Sequence, residues 1–219
     1  MNVEVFLSGL FFLLIIIILF ISDQFGHETF SDLNSERKLQ KVEEDPKKFK
    51  ISVALLLLEH SCIISLAITL FLAFNQYNIL LGIIWLVSRI IEGAIQIYNK
   101  RSFWRLIDIA KEYSASSSSK KEESINLGHE ILKKKNLIFA ISQILFFIGT
   151  LAYSLVFIMY EVIPVFIGWF GVIASVIYGI GNVIFLIKPT SKIIWSLGGL
   201  LIFVFEAILG GCLIFISFL

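Results

Sequence analysis

An arginine and a glutamate stand three residues apart in a stretch whose other side chains suit hydrocarbon. Arg89 and Glu92 lie within WLVSRIIEGAIQIY, residues 85–98. A charge near the centre of a bilayer costs roughly 2.5 to 3.5 kcal/mol on insertion scales, so such residues are rare and usually face a partner or a cavity. Groups of this kind can bind a charged ligand or pass a proton, and they can equally form a structural clamp between helices.

The polar residues of this stretch form one face of the predicted helix. At 100° per residue, Gly82, Trp85, Arg89, Glu92 and Gln96 step by three or four and point the same way. A polar face inside a membrane needs polar groups on neighbouring helices, and other apolar stretches of the chain supply them. The candidates for a ligand or proton site are Glu59, His60, Arg89, Glu92, Gln143, Asn182 and Glu206.

Depth along each helix relates these candidates to one another. At about 1.5 Å per residue, all except His60 and Glu206 are predicted in one layer, about 8 to 12 Å from the face that carries the basic loops. Glu59 and Arg89 lie at matching heights on neighbouring helices, so we predict that they pair. Glu92 is one turn from Arg89 and is expected to share its guanidinium, which has five donors.

The remaining candidates have different expected roles. His60 is more often a hydrogen-bonded packing residue than a proton relay. Gln143 and Asn182 are more often hydrogen-bond links between helices than ligand-binding groups. Glu206 is predicted near the middle of the membrane, about 20 Å from the basic face, without a basic partner at its depth. It is therefore the strongest functional candidate.

Composition identifies the class of protein that must position these residues. The chain has 219 residues, of which 58% are hydrophobic and 16% charged, with a mean hydropathy of +0.90. Soluble domains average near 25% charged residues, so the composition indicates an integral membrane protein. A formal net charge of +1 gives no reason to expect nucleic-acid binding.

Six apolar runs are long enough to span a bilayer, which takes about 20 residues of helix. They cover about residues 4–22, 51–74, 78–97, 136–160, 165–188 and 193–219. The first carries Glu4 and no basic residue ahead of its apolar run, so we interpret it as a retained helix and not a signal peptide. The predicted fold class is all-α, a single polytopic domain formed by a bundle of six transmembrane helices.

The distribution of basic residues predicts the orientation. Of 18 lysines and arginines, 17 flank or lie in the loops after the first, third and fifth spans. The positive-inside rule then makes loops 23–50 and 98–135 cytoplasmic, with both termini outside, and we expect the plasma membrane of a prokaryote. The helical spacing of apolar residues between Phe103 and Tyr113 predicts an amphipathic helix at the headgroup level. Residues 114–124 are predicted to form a flexible linker.

Signatures of familiar enzymes and metal sites are missing from the sequence. There is no HExxH, GxSxG, phosphate-binding loop or dinucleotide fingerprint, and the three histidines lack metal-ligand spacing. Cys62 and Cys212 fall in apolar runs and are interpreted as packing residues. We therefore expect no metal and no cofactor.

Several of these features together resemble a membrane family catalogued as domain of unknown function 4386. They are the six spans, the DP element at Asp45 and Pro46, the Arg89 and Glu92 pair, the segment EVIPVFIGWFG with Pro164, Gly168 and Gly171, and Glu206 in the last helix. The resemblance covers most of the chain. It implies the six-helix fold and supports the site residues, but it implies no particular reaction.

Three classes of function are compatible with the sequence. The favoured one is a carrier or ligand-binding membrane protein whose buried polar layer binds or moves a small polar or charged ligand or a proton. The second is an intramembrane enzyme acting on a lipid-linked substrate, which the missing nucleophile and metal ligands count against. The third is a structural or assembly partner. The expected partners are the bilayer, anionic lipid in contact with basic loop residues, and other copies of the chain in a homo-oligomer.

Overall fold

A computed structural model describes residues 1–29, 31–187 and 193–219, and the regular structure of these residues is helical. The helices are α1 (Val3–Gln24), α2 (Ser35–Glu44), α3 (Pro46–Phe74), α4 (Ile79–Trp104), α5 (Leu106–Ala115), α6 (Ser118–Met159), α7 (Val165–Ile187) and α8 (Ile193–Ile216). Six segments, centred on α1, α3, α4, α6, α7 and α8, are long and apolar enough to cross a membrane. The predicted fold class is confirmed, and the chain is an integral multi-pass membrane protein.

The six spanning helices pack in a closed ring. Each contacts two neighbours, in the order α1, α3, α4, α6, α7, α8 and back to α1. The loops after α1 and α4 lie at one end of this ring, which we call the loop end. The predicted PTS joint at 189–191, with the lysines on either side of it, lies outside the described residues.

Side-chain caps explain where several helices begin. Asn2, Asn34 and Asn78 each accept a hydrogen bond through Oδ1 from a backbone amide three residues on, at 3.0 to 3.1 Å. Asp45 does the same for α3 at 2.8 Å, and Pro46 occupies the first helical position, where its missing amide costs nothing. The polar residues between the apolar runs therefore set the helix starts.

A second, smaller core lies at the loop end, and we call it the loop lobe. It is formed by α2, α5 and the first turns of α6, resting on α3 and α4. The predicted amphipathic helix is present as α5, but its apolar face does not lie free for lipid. That face is buried against α2 and α6, and Tyr113 at its end donates a hydrogen bond to Glu36 of α2 at 2.8 Å.

The prediction of a flexible linker at 114–124 is wrong. Only Ser116 and Ser117 separate α5 from α6, which begins at Ser118 and continues for 42 residues. The run KKEES after the serines consists mainly of good helix formers, and a long packed helix can extend through it at little cost. Helix α6 therefore reaches from the loop lobe through the ring.

Candidate functional site

A cavity of about 290 Å³ lies inside the ring and is lined by residues from all six spanning helices. Charged side chains are concentrated on its wall, although the wall as a whole is mainly apolar. The ionisable residues that line it are His27, Glu59, His60, Arg89, Glu92, Lys100, Lys135 and Glu206. Six of the seven predicted candidates are brought together here, and the exception is Asn182.

The predicted polar face of α4 is confirmed. Its residues from Gly82 to Gln96 at helical spacing are buried, and three of them, Arg89, Glu92 and Gln96, line the cavity. The face continues one turn further to Lys100, which also lines the cavity. Helix α4 thus contributes a row of polar groups from the middle of the ring towards the loop end.

Arg89 and Glu92 form the main ion pair of the cavity. Nη1 of Arg89 donates to Oε2 of Glu92 at 2.8 Å, and both side chains are buried. The aliphatic part of Arg89 lies against Gly149 of α6, where an added Cβ would stand 2.8 Å from Cγ. Its guanidinium carbon lies 4.5 Å from the ring centroid of Phe146, a cation–π contact. Gly149 and Phe146 of α6 thus form a packing site for this arginine, which we call the seat of Arg89.

The expected ion pair between Glu59 and Arg89 is not formed. Within the described chain, the ion pair of Arg89 is with Glu92, and Oε2 of Glu59 lies 2.6 Å from Nδ1 of His60 instead. Gly149 is the physical reason, because it gives the arginine room on the α6 side of α4, away from α3. The contact between Glu59 and His60 joins adjacent residues at an angle that makes no hydrogen bond, so Oε2 of Glu59 stays without a donor.

Amide and hydroxyl groups link α4, α6 and α7 across the cavity wall. Gln96 donates to Oγ of Ser142 at 2.5 Å, and the Tyr178 hydroxyl donates to Oε1 of Gln143 at 2.8 Å. Asn182 bonds within its own helix, donating to the Tyr178 carbonyl at 2.8 Å, and does not line the cavity. Gln143 therefore serves as a link between helices, as its residue type suggests.

Glu206 of α8 lines the cavity without a partner. Its residue is 8% exposed, and within the described ranges it makes no hydrogen bond and no ion pair. Position 206 is 13 residues from the start of α8, so it lies about 20 Å along that helix from the loop end. An unpaired carboxyl at this depth is expensive unless it holds a proton or meets a ligand.

Lys135 closes the loop end of the cavity by holding a segment of the chain. Its Nζ donates to the carbonyls of Glu28 and Thr29 at 2.6 and 3.1 Å and to Oγ of Ser31 at 2.9 Å. The next residue, Asn136, exchanges two hydrogen bonds of 2.9 Å with the Ser31 backbone. This lysine, only 2% exposed, is thus fully used by the fold.

Lys100 is buried at the same end and has no such partners. It is 4% exposed and lines the cavity, yet it makes no hydrogen bond or ion pair within the described ranges. His27 stands nearby in the loop after α1. Burial and the positive charges of Lys135 and Lys100 lower the pKa of His27 to about 2, so this ring stays neutral.

The predicted candidates did not include four titratable residues that line the cavity: His27, Lys100, Lys135 and Tyr178. Lys100 could have been predicted from the sequence, since it follows Gln96 by four residues on the polar face of α4. His27 could not have been predicted from a local pattern, because the loop that carries it is positioned by Lys135 from a distant part of the chain.

The cavity combines a satisfied ion pair with free charges of both signs. Such a site can bind a polar or charged molecule and can exchange a proton at a carboxyl. Across the described residues, no three histidine, cysteine or acidic side chains stand close enough to hold a metal ion.

Comparison with known proteins gives a match to a protein family. A family model described as "Domain of unknown function (DUF4386)" matches residues 7–217. No curated protein and no solved structure matches the chain. The matched range contains every residue that lines the cavity. The candidate site therefore lies within the region that the family model covers.

Proposed function

The chain belongs to the family described as domain of unknown function DUF4386, and on that premise we propose that it is a membrane carrier or binding protein. Its cavity takes a small polar or charged ligand, and Glu206 exchanges a proton as the ligand is bound or moved. The observation that carries the proposal is the unpaired Glu206 carboxyl, buried on the wall of a 290 Å³ cavity.

The pairing of the other charges supports this assignment of roles. Arg89 and Glu92 neutralise each other and rest on α6, which suits a structural pair that also shapes the site. Among the described residues, Glu206 has no hydrogen-bond or ion-pair partner and feels Arg89 only without a contact, so a proton or a ligand would offset the cost of its burial. The size of the cavity limits the ligand to a small molecule or to one group of a larger one.

The orientation follows from the basic residues. We place the loop end in the cytoplasm, because 15 of the 18 lysines and arginines lie in the two segments at that end, from Arg37 to Lys50 and from Lys100 to Lys135. The cavity then extends from the middle of the membrane towards the cytoplasmic side, with Glu206 at its deep end.

A proton-movement assay tests the proposal. The protein is reconstituted into liposomes that contain a pH-sensitive dye, and glycine, choline, succinate, phosphate and the anionic amphiphile lysophosphatidylglycerol are added outside as probes of different charge and solubility. We expect at least one probe to change the internal pH in wild-type liposomes. Glu206→Gln should abolish that change, because an amide cannot exchange a proton, and Glu130→Gln on the exposed surface of α6 should keep it.

Two results would overturn the proposal. One is that no probe changes the internal pH beyond the level of protein-free liposomes. The other is that Glu206→Gln responds like the wild type to the probe that works. Size-exclusion profiles of both variants show whether a lost response reflects the missing carboxyl or a misfolded protein.

A further inference from the structure

The ammonium group of Lys100 is the least satisfied positive charge of the cavity. The side chain is 4% exposed, and nothing in the described parts of the chain accepts a hydrogen bond from it. An ammonium that is buried without a partner is unfavourable. Lys135, at the same end, shows how this fold treats a lysine that it uses itself, with three oxygen acceptors at 2.6 to 3.1 Å.

The surroundings of Lys100 are positive. Lys135 lies on the same cavity wall, and Lys38 of α2, which pairs with Glu28 at 3.4 Å, stands beside the loop that carries His27. Together with burial, these charges lower the pKa of His27 to about 2, so His27 adds no further positive charge there. The attraction of Glu59 acts on Lys100 without an ion-pair contact. This end of the cavity is therefore suited to an anion.

The wall between α1 and α8 is apolar and partly exposed at the level of the cavity. Leu19 and Phe203 line the cavity and are 37% and 38% exposed. At this level the helices meet through side chains, with the rings of Phe20 and Phe203 edge to face at 5.5 Å. Nearer the opposite end the backbones touch, since a Cβ added to Gly9 would stand 2.6 Å from the Gly210 carbonyl oxygen.

The outer side of this wall lies between two membrane-spanning helices and therefore faces lipid. The side chains of Leu19 and Phe203 separate the cavity from lipid there. Rotation of Leu19 and Phe203 would open a slot between α1 and α8 without breaking a backbone hydrogen bond, because helices satisfy theirs internally. The tight contact of Gly9 and Gly210 would hold the two helices together meanwhile. A molecule with an apolar chain can occupy such a slot while its polar group lies in the cavity.

We propose that Lys100 binds an oxyanion, phosphate or carboxylate, and that the molecule carrying it is an amphiphile that reaches the cavity from the bilayer between α1 and α8. The proposal rests on the proposed function and names the ligand class for the same cavity. A soluble anion of the same chemistry is the other source, and it would come from the loop end. A lysine suits either source because it acts as a point charge towards phosphate.

Binding of defined anions to the full chain in a nonionic detergent tests the proposal. The probes are phosphatidylglycerol, phosphatidylcholine and inorganic phosphate, and the measurements are native mass spectrometry and the unfolding temperature. We expect phosphatidylglycerol to bind and to raise the unfolding temperature more than phosphatidylcholine does. Lys100→Gln should weaken that binding by about tenfold or more, because it removes a charged hydrogen-bond donor.

Two further variants separate the site from general charge effects. Lys134→Gln removes a charge from the exposed surface of α6 at the same end and should bind like the wild type. Lys100→Arg keeps a cation at the site and should retain most of the affinity. If Lys100→Gln does not fold, the decision rests on the difference between the two lipids in the wild type and in Lys100→Arg.

Each outcome decides the proposal. Equal binding of the two lipids and of phosphate, or undiminished binding to Lys100→Gln, overturns it. Binding of phosphate at Lys100 without phosphatidylglycerol keeps the oxyanion site and overturns access from the bilayer. The Glu206→Gln variant separates this proposal from the proposed function, because it should lose solute-driven proton movement and still bind phosphatidylglycerol.

Discussion

Arg89 and Lys100 lie on the same face of α4, about 16 Å apart along its axis, and their surroundings differ. Arg89 has a carboxylate at 2.8 Å, a glycine under its aliphatic part and an aromatic ring under its guanidinium. Lys100 is as deeply buried and has no comparable partner in the described ranges. Burial alone therefore does not identify a functional charge, since the fold itself provides partners for Arg89.

The largest expected effect comes from breaking the satisfied charge. Arg89→Met should lower the free energy of unfolding by about 3 to 5 kcal/mol, because Glu92 is left charged and unpaired in the ring. Reversible unfolding in mixed detergent micelles measures it. The double variant Arg89→Met with Glu92→Leu should recover most of the loss. A single variant as stable as the wild type would show that this pair is not part of the fold.

Lys135 offers the same contrast at the loop end. Lys135→Met removes three hydrogen bonds to residues 28–31 and should cost about 2 to 3 kcal/mol of unfolding free energy. The segment should also become more sensitive to protease, which can be followed by mass spectrometry of the fragments. Lys134→Met, on the exposed side of the same turn, is the matched control. Equal sensitivity of the two variants would contradict the role given to Lys135.

The seat of Arg89 can be changed without touching a charge. Gly149→Ala places a Cβ 2.8 Å from Cγ of Arg89, so the arginine must shift, at an expected cost of about 1 to 3 kcal/mol. Gly211→Ala is the control, since nothing lies within 4 Å of its added Cβ, and alanine favours a helix over glycine by about 1 kcal/mol. Unfolding that ranks the two variants in the opposite order would exclude the seat.

The smallest expected effect concerns pH. The pKa of His27 is lowered to about 2 in the folded chain, whereas an unfolded histidine titrates near 6.5. The unfolded chain therefore takes up the proton first, so stability is full above about pH 6.5 and falls as the pH decreases. His27→Gln should make the unfolding temperature less sensitive between pH 7.5 and 5, while exposed His129→Gln should not. If the unfolding temperature of His27→Gln depended on pH as strongly as that of the wild type, His27 would not lie among the positive charges at the loop end.

Much of the fold could be predicted because the bilayer imposes strong constraints on sequence. The six spans and the buried face of α4 follow from apolar length and helical period, which a chain in lipid must obey. The loop lobe was predicted poorly. Helix α2 begins at an Asn34 cap that local sequence could have indicated, but the burial of α5 depends on tertiary contacts with α2 that no local pattern contains.

The candidate site was predicted as a set of residues more accurately than as a set of contacts. Glu59 and Arg89 do lie around one cavity, yet they do not pair, because the direction of the arginine is decided by Gly149 of a different helix. Helical spacing gives the face of a residue and its approximate depth, but not which neighbour leaves room for it. Lys100 would have been predicted as well if the polar face of α4 had been extended by one helical turn beyond Gln96.

The central claim is that the free charges of the cavity act on a ligand and the paired ones maintain the fold. The most direct measurement takes the double variant Lys100→Gln with Glu206→Gln and records both its unfolding temperature and solute-driven pH change in liposomes. We expect an unfolding temperature at or above that of the wild type, because two unpaired buried charges are gone, and we expect the pH change to be lost. A variant that unfolds well below the wild type, or that still moves protons with the solute, would contradict it.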